Sequence, residues 1–162
     1  MIYRVCSISL IFLLALILVT THEVEAQTQG FGLGIIVGEP TGISGKLWTG
    51  QTVAFAAGAA WSFEGESLHL HLDYLLHNFD VIPVGVGQLP VYFGIGGRVN
   101  LQDDDTKIGV RIPVGLNYHF EEAPVDLFLE LVPIMDMIPD TDFFLNGGLG
   151  LRFFFGKNRK SN

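Results

Sequence analysis

From residue 31 onward, apolar residues alternate with small or polar ones at a period of two, and they do so in separate short segments. A period of two is the signature of a β-strand with one apolar face. Residues 68–74 place Leu68, Leu70, Leu72 and Tyr74 on one face and His69, His71 and Asp73 on the other. Residues 107–118 set Ile108, Val110, Ile112, Val114, Leu116 and Tyr118 against Gly109, Arg111, Gly115 and Asn117. Residues 89–99, 125–131 and 145–155 alternate in the same way, and 31–37, 42–48 and 52–62 do so more weakly. Turn-forming clusters separate the segments, among them Gly38-Glu39-Pro40-Thr41-Gly42, Glu121-Glu122-Ala123-Pro124 and Pro139-Asp140-Thr141-Asp142. The stretch from His77 to Gln88 reads as a longer connection. Eight antiparallel strands with short turns predict an all-β chain closed into an up-and-down barrel, because closure removes the sheet edges. Pro113 lies inside the sixth strand and cannot donate a ladder bond, which predicts a bulge there.

Alternation alone does not say which face meets water. The polar face is built from Gly and Ala with a few charges, namely Lys46, Asp73, Arg98, Arg111, Asp126, Glu130 and Arg152. A water-facing exterior carries far more Lys, Glu, Ser and Thr. Charged residues are only 16% of the chain, against about 25% in ordinary soluble domains. Small residues with a few opposed charges suit the narrow, filled interior of an eight-stranded barrel. The apolar face then meets lipid, which makes this a transmembrane β-barrel. Trp48, Trp61, Tyr74, Tyr118, Phe153 and Phe155 fall near strand ends and are read as an aromatic girdle.

The first 26 residues read as an address. Arg4 supplies a positive start, Leu10 to Val19 is unbroken apolar sequence, and Val24-Glu25-Ala26 fits a signal-peptidase site. Residues 1–26 are therefore expected to be a cleaved signal peptide, 27–155 the barrel domain, and 156–162 a short basic tail. Cys6 is the sole cysteine and precedes the apolar run, so no disulfide framework is expected. The net charge of −8 argues against nucleic acid as a partner.

The polar face invites chemical readings. His69 and His71, with Asp73, have a spacing that would suit metal ligands, and Ser44 or Ser62 with His69 would suit a hydrolase triad. No nucleophile-elbow motif accompanies them. The preferred reading is an interior polar network of Lys46, His69, His71, Asp73, Arg98, Arg111, Asp126, Glu130 and Arg152, with no metal, no catalytic residue and no cofactor. Its charges nearly balance, three acids to four bases, which points to a plug of ion pairs in preference to an ion path. Gly38–Gly42 lacks the spacing of a phosphate loop, and Asp103-Asp104-Asp105 reads as a solvated acidic loop tip.

Five stretches, GLGIIVGEPTGISGKLW (Gly32–Trp48), LHLHLDYLLHNF (Leu68–Phe79), LPVYFGIGGRV (Leu89–Val99), GVRIPVGLNYHF (Gly109–Phe120) and FFLNGGLGLRFFF (Phe143–Phe155), resemble a family of small bacterial outer-membrane barrel proteins. Most of that family is uncharacterised, and its members are likened to the transmembrane domain of OmpA. The last strand also resembles an outer-membrane assembly signal at Asn146, Gly148, Leu151 and Phe153, although Gly156 to Asn162 follow the final aromatic residue. The resemblance implies a bacterial outer-membrane location, insertion by the barrel-assembly machinery, and outer-membrane lipid as the surrounding partner. The expected protein is a non-enzymatic monomer with a structural or envelope-related role. Two rivals remain: a soluble barrel with its apolar face inward around a small apolar ligand, and a lipid-modifying membrane enzyme.

Overall fold

The computed structural model describes residues 30–39, 41–62, 67–102 and 106–155. The segment expected to be a signal peptide (residues 1–26), the expected tail (156–162) and Asp103-Asp104-Asp105 lie outside the described residues. Nine strands follow one another: β1 (Gly30–Glu39), β2 (Thr41–Trp48), β3 (Val53–Ser62), β4 (Ser67–Asn78), β5 (Val91–Leu101), β6 (Thr106–Arg111), β7 (Val114–His119), β8 (Val125–Ile138) and β9 (Asp142–Phe155). Among the described residues there is no helix.

Every pairing is antiparallel. β1 pairs with β2, β2 with β3, β3 with β4 and β4 with β5. β6 and β7 each lie between β5 and β8, so together they make one stave. β8 pairs with β9, and β9 returns to β1 from Phe31↔Phe155 to Glu39↔Gly147. The ring is closed through eight staves and leaves no open edge. We call the end that carries Gly30 and Phe155 the near rim, and the end at Glu39 the far rim.

Pro113 does not produce the expected bulge. The ladder lapses at Ile112 and Pro113 because proline offers no N–H, and it resumes at Val114 in the same register against both neighbours. Carbonyls keep the gap tied: Gly94 N–H donates to Pro113 O at 2.9 Å and Ile112 N–H to Pro133 O at 2.9 Å. The register shift lies elsewhere, between Ile108 and Gly109 against β8.

The two faces divide as the alternation predicts. Leu33, Ile35, Leu72, Ile95, Leu131 and Leu149 are among the apolar side chains exposed on the outer wall. Lys46, Asp73, Arg98, Arg111, Asp126 and Arg152 are buried inside. Trp48 departs from the expected girdle. It is 5% exposed and points inward, because it lies two residues from Lys46 on the same face of β2. Trp61, at 44% exposed, together with Tyr74 and Phe155, does lie on the outer wall. Tyr118 and Phe153 are half-buried there, in edge contact with Phe120 and Phe155 at 4.9 and 5.1 Å. Phe31, Phe55 and Phe93, all exposed, extend the near-rim part of this belt, whereas Trp61, paired with Thr41, lies at the far rim.

Candidate functional site

The chemistry-bearing side chains are stacked inside the barrel in three groups between the rims. Each contains at least one cation that would cost several kcal/mol to bury alone, and each sets it against at least one acid, the balance closing over the three groups together.

The group nearest the near rim centres on Lys46, which is 1% exposed. A lysine ammonium can only donate. Lys46 Nζ donates to His77 Nε2 at 2.8 Å and to Asn117 Oδ1, and lies 3.8 Å from Asp126 Oδ2. Asp126 is held by a neighbouring strand: Arg152 Nε and Nη2 reach its two oxygens at 3.0 and 3.2 Å, a bidentate pair. Arg152 also donates to Ser44 Oγ at 3.4 Å and lies 3.9 Å from the centre of the Phe128 ring. Above Lys46, at the mouth, the Trp48 ring lies 4.3 Å from the ammonium. Trp48 in turn packs against His77, Phe79 and His119, with ring centres 4.4, 6.4 and 5.8 Å apart.

The middle group joins Arg111, Asp73, Glu130 and Tyr92. Arg111 Nε is 3.0 Å from Asp73 Oδ1, and Arg111 Nη2 donates to Glu130 Oε1 at 3.4 Å. The Tyr92 hydroxyl donates to the other Glu130 oxygen at 2.9 Å. Near the far rim, Arg98 Nε and Nη2 meet Asp136 Oδ1 and Oδ2 at 2.8 and 2.6 Å. Asp136 is absent from the sequence-derived network. With it, four acids face four bases.

Three of these contacts share one construction. Asp73, Gly96 and Arg111 are successive register partners across β4, β5 and β6. Arg98, Gly109 and Asp136 stand in the same relation across β5, β6 and β8. So do Tyr92, Gly115 and Glu130 across β5, β7 and β8. In each case the two polar side chains meet over a glycine on the intervening strand. A methyl group at Gly96 would overlap Asp73 Oδ1, and one at Gly109 would overlap Asp136 Oδ1. At Gly115 it would sit 2.6 Å from the Tyr92 ring and hydroxyl. The inward glycines are thus the space in which the network is built.

The remaining sequence-derived residues fall as follows. His69 Nε2 is 3.1 Å from Ser67 Oγ, and His71 Nε2 is 4.0 Å from Asp73 Oδ2. The two histidines are therefore occupied separately, and among the described residues no group of metal ligands assembles. Ser44 belongs to Arg152 and not to His69, while the side chain of Ser62 is outside the described set. Asn146 and Gly148 line a small cleft in the far half with Glu39, His71, Arg111 and Glu130, with room for about one water. Leu151 points outward.

No known family's sequence model matches the chain, and no curated protein matches it in sequence. Among solved structures it is similar to the N-terminal β-barrel domain of Pseudomonas aeruginosa OprF, with a TM-score of 0.53 and 19% identity. The match covers 78% of this chain and 98% of that one. It shows a shared fold, a small OmpA-like barrel.

Proposed function

We propose that the chain is a non-enzymatic outer-membrane β-barrel protein with a structural or envelope-related role. The observation that carries this reading is the inverted wall. The closed ring exposes apolar side chains outward on every stave and holds its wall charges inside, beside a minority of inward apolar residues such as Phe128, Val132 and Ile134. Exposed apolar surface that encircles a chain is a membrane-contact surface. A soluble carrier of apolar ligands needs the opposite arrangement. The interior charges pair with one another, which supports a plug that fixes the barrel and favours it over a reactive site or a wide pore.

On this reading residues 1–26 direct export and are removed after Ala26. The near rim faces the periplasm. Outer-membrane lipid is the surrounding partner, and the pattern Asn146, Gly148, Leu151 and Phe153 on β9 is read by the barrel-assembly machinery. The protein acts as a monomer. The test is expression of the full chain in a Gram-negative host, envelope fractionation, and electrophoresis with and without boiling. An outer-membrane band whose mobility shifts on boiling is the expected result. A soluble periplasmic band would overturn the reading.

A further inference from the structure

The connection between β4 and β5, residues 79–90, is long for a periplasmic turn, where short turns are the rule. It folds over the near rim instead of projecting from it. Its first residue, Phe79, sits inside the mouth against Trp48 and His119, with ring centres 6.4 and 5.8 Å away. Its last part lies along β7. Gln88 exchanges backbone hydrogen bonds with His119 at 3.1 and 2.7 Å, and Asn117 N–H donates to Pro90 O at 3.0 Å. Gly87 has φ +70°, and a Cβ there would lie 2.9 Å from the Tyr118 hydroxyl, so only glycine lets the loop lie this close to the wall. Tyr118 then donates its hydroxyl to Val86 O at 3.0 Å.

Between these two ties the loop exposes Val81, Val84 and Val86. No charged residue occurs from Val81 to Gly97. Tyr118 belongs to the aromatic belt and packs edge-on against exposed Phe120. Val86 is thereby tied to the outer wall through Tyr118, with exposed Val84 two residues before it. We infer that the Val81–Val86 loop is a membrane-contacting foot that inserts into the lipid interface of the leaflet at the near rim. The inference rests on the membrane reading above. Its occupant is lipid because the loop is tied through Val86 to an outward-facing residue of the wall, Tyr118, and its one charged residue, Asp80, precedes the exposed valines.

The test uses the full chain in a Cys6→Ser background, folded into phosphatidylethanolamine–phosphatidylglycerol vesicles with and without brominated acyl chains. Single cysteines at Val84 and Val86 carry an environment-sensitive fluorophore. Leu131→Cys, at the middle of the wall, and Glu122→Cys, in an exposed turn at the same rim, are the references. Quenching at Val84 and Val86 weaker than at Leu131 but well above that at Glu122, which stays unquenched, is expected. Labels at Val84 and Val86 that behave like Glu122 while Leu131 is quenched would overturn the foot and leave the membrane barrel standing. An unquenched Leu131 would overturn both. Disulfide-linked dimers of the unlabelled Val84→Cys protein, with no quenching of the labelled one, would make a second copy the occupant and overturn the inference.

Discussion

Arg98 and Asp136 form a two-pronged ion pair, at 2.8 and 2.6 Å, across a strand to which neither belongs. Gly109 lies between them in register, and its missing side chain is the gap they cross. The same arrangement at Gly96 and Gly115 makes the inward glycines part of the polar network. The bore of an eight-stranded barrel admits little more than side chains, so a glycine on one stave is what allows two long side chains to meet over it.

Filling that gap has a defined cost. Gly109→Ala is expected to destabilise the folded barrel by about 1–3 kcal/mol, the usual cost of overpacking. Gly97 points outward, and a Cβ there would come no closer than 3.9 Å to Gly109 O. Gly97→Ala should therefore stay within about 0.5 kcal/mol of the parent. Urea unfolding from lipid vesicles, followed by tryptophan emission, compares the two.

Removing one partner of the pair leaves the other charged and buried. Arg98→Leu alone is expected to cost about 3–5 kcal/mol, whereas the double variant Arg98→Leu, Asp136→Leu should recover most of that loss. The same unfolding assay, arranged as a double-mutant cycle, measures the difference. A double variant as unstable as the sum of the singles would mean that the pair contributes nothing as a pair.

Asp126 serves two cations, Arg152 in a bidentate pair and Lys46 at 3.8 Å. Asp126→Asn should therefore lower the boiling-shift temperature more than Asp136→Asn, which releases Arg98 alone. Adding Lys46→Met to Asp126→Asn should restore part of the loss. The opposite order of the two single variants would place the main burden at the far rim.

The inward positions of Lys46, Asp73, Arg98, Arg111, Asp126, Glu130 and Arg152 were legible because each alternates with apolar neighbours. Asp136 was not. Beyond Leu131 the inward positions of β8 become Val132 and Ile134, both faces turn apolar, and the alternation disappears. His77 is hidden in the same way behind Leu75 and Leu76. Trp48 could have been placed correctly from its two-residue spacing to Lys46, but proximity to a strand end pointed to the girdle instead. The crossings over glycine depend on the register between strands, which no single strand's sequence carries.

The outer wall makes its own prediction. Leu131→Arg puts a cation among exposed apolar side chains near the middle of β8, and in lipid this is expected to cost about 2–4 kcal/mol. Glu122→Arg, in an exposed near-rim turn, should be close to neutral. Folding yields into vesicles, compared between the two variants, provide the check.

The most direct test of the inverted barrel uses its two tryptophans, one on each face. The chain is folded into vesicles of brominated phospholipid as the Trp48→Phe variant, leaving Trp61, and as the Trp61→Phe variant, leaving Trp48. Brominated chains should quench Trp61, which lies on the outer wall, and leave the emission of Trp48 unchanged beside Lys46 and His77. Quenching of Trp48 with Trp61 spared would contradict the assignment of inside and outside on which the account rests.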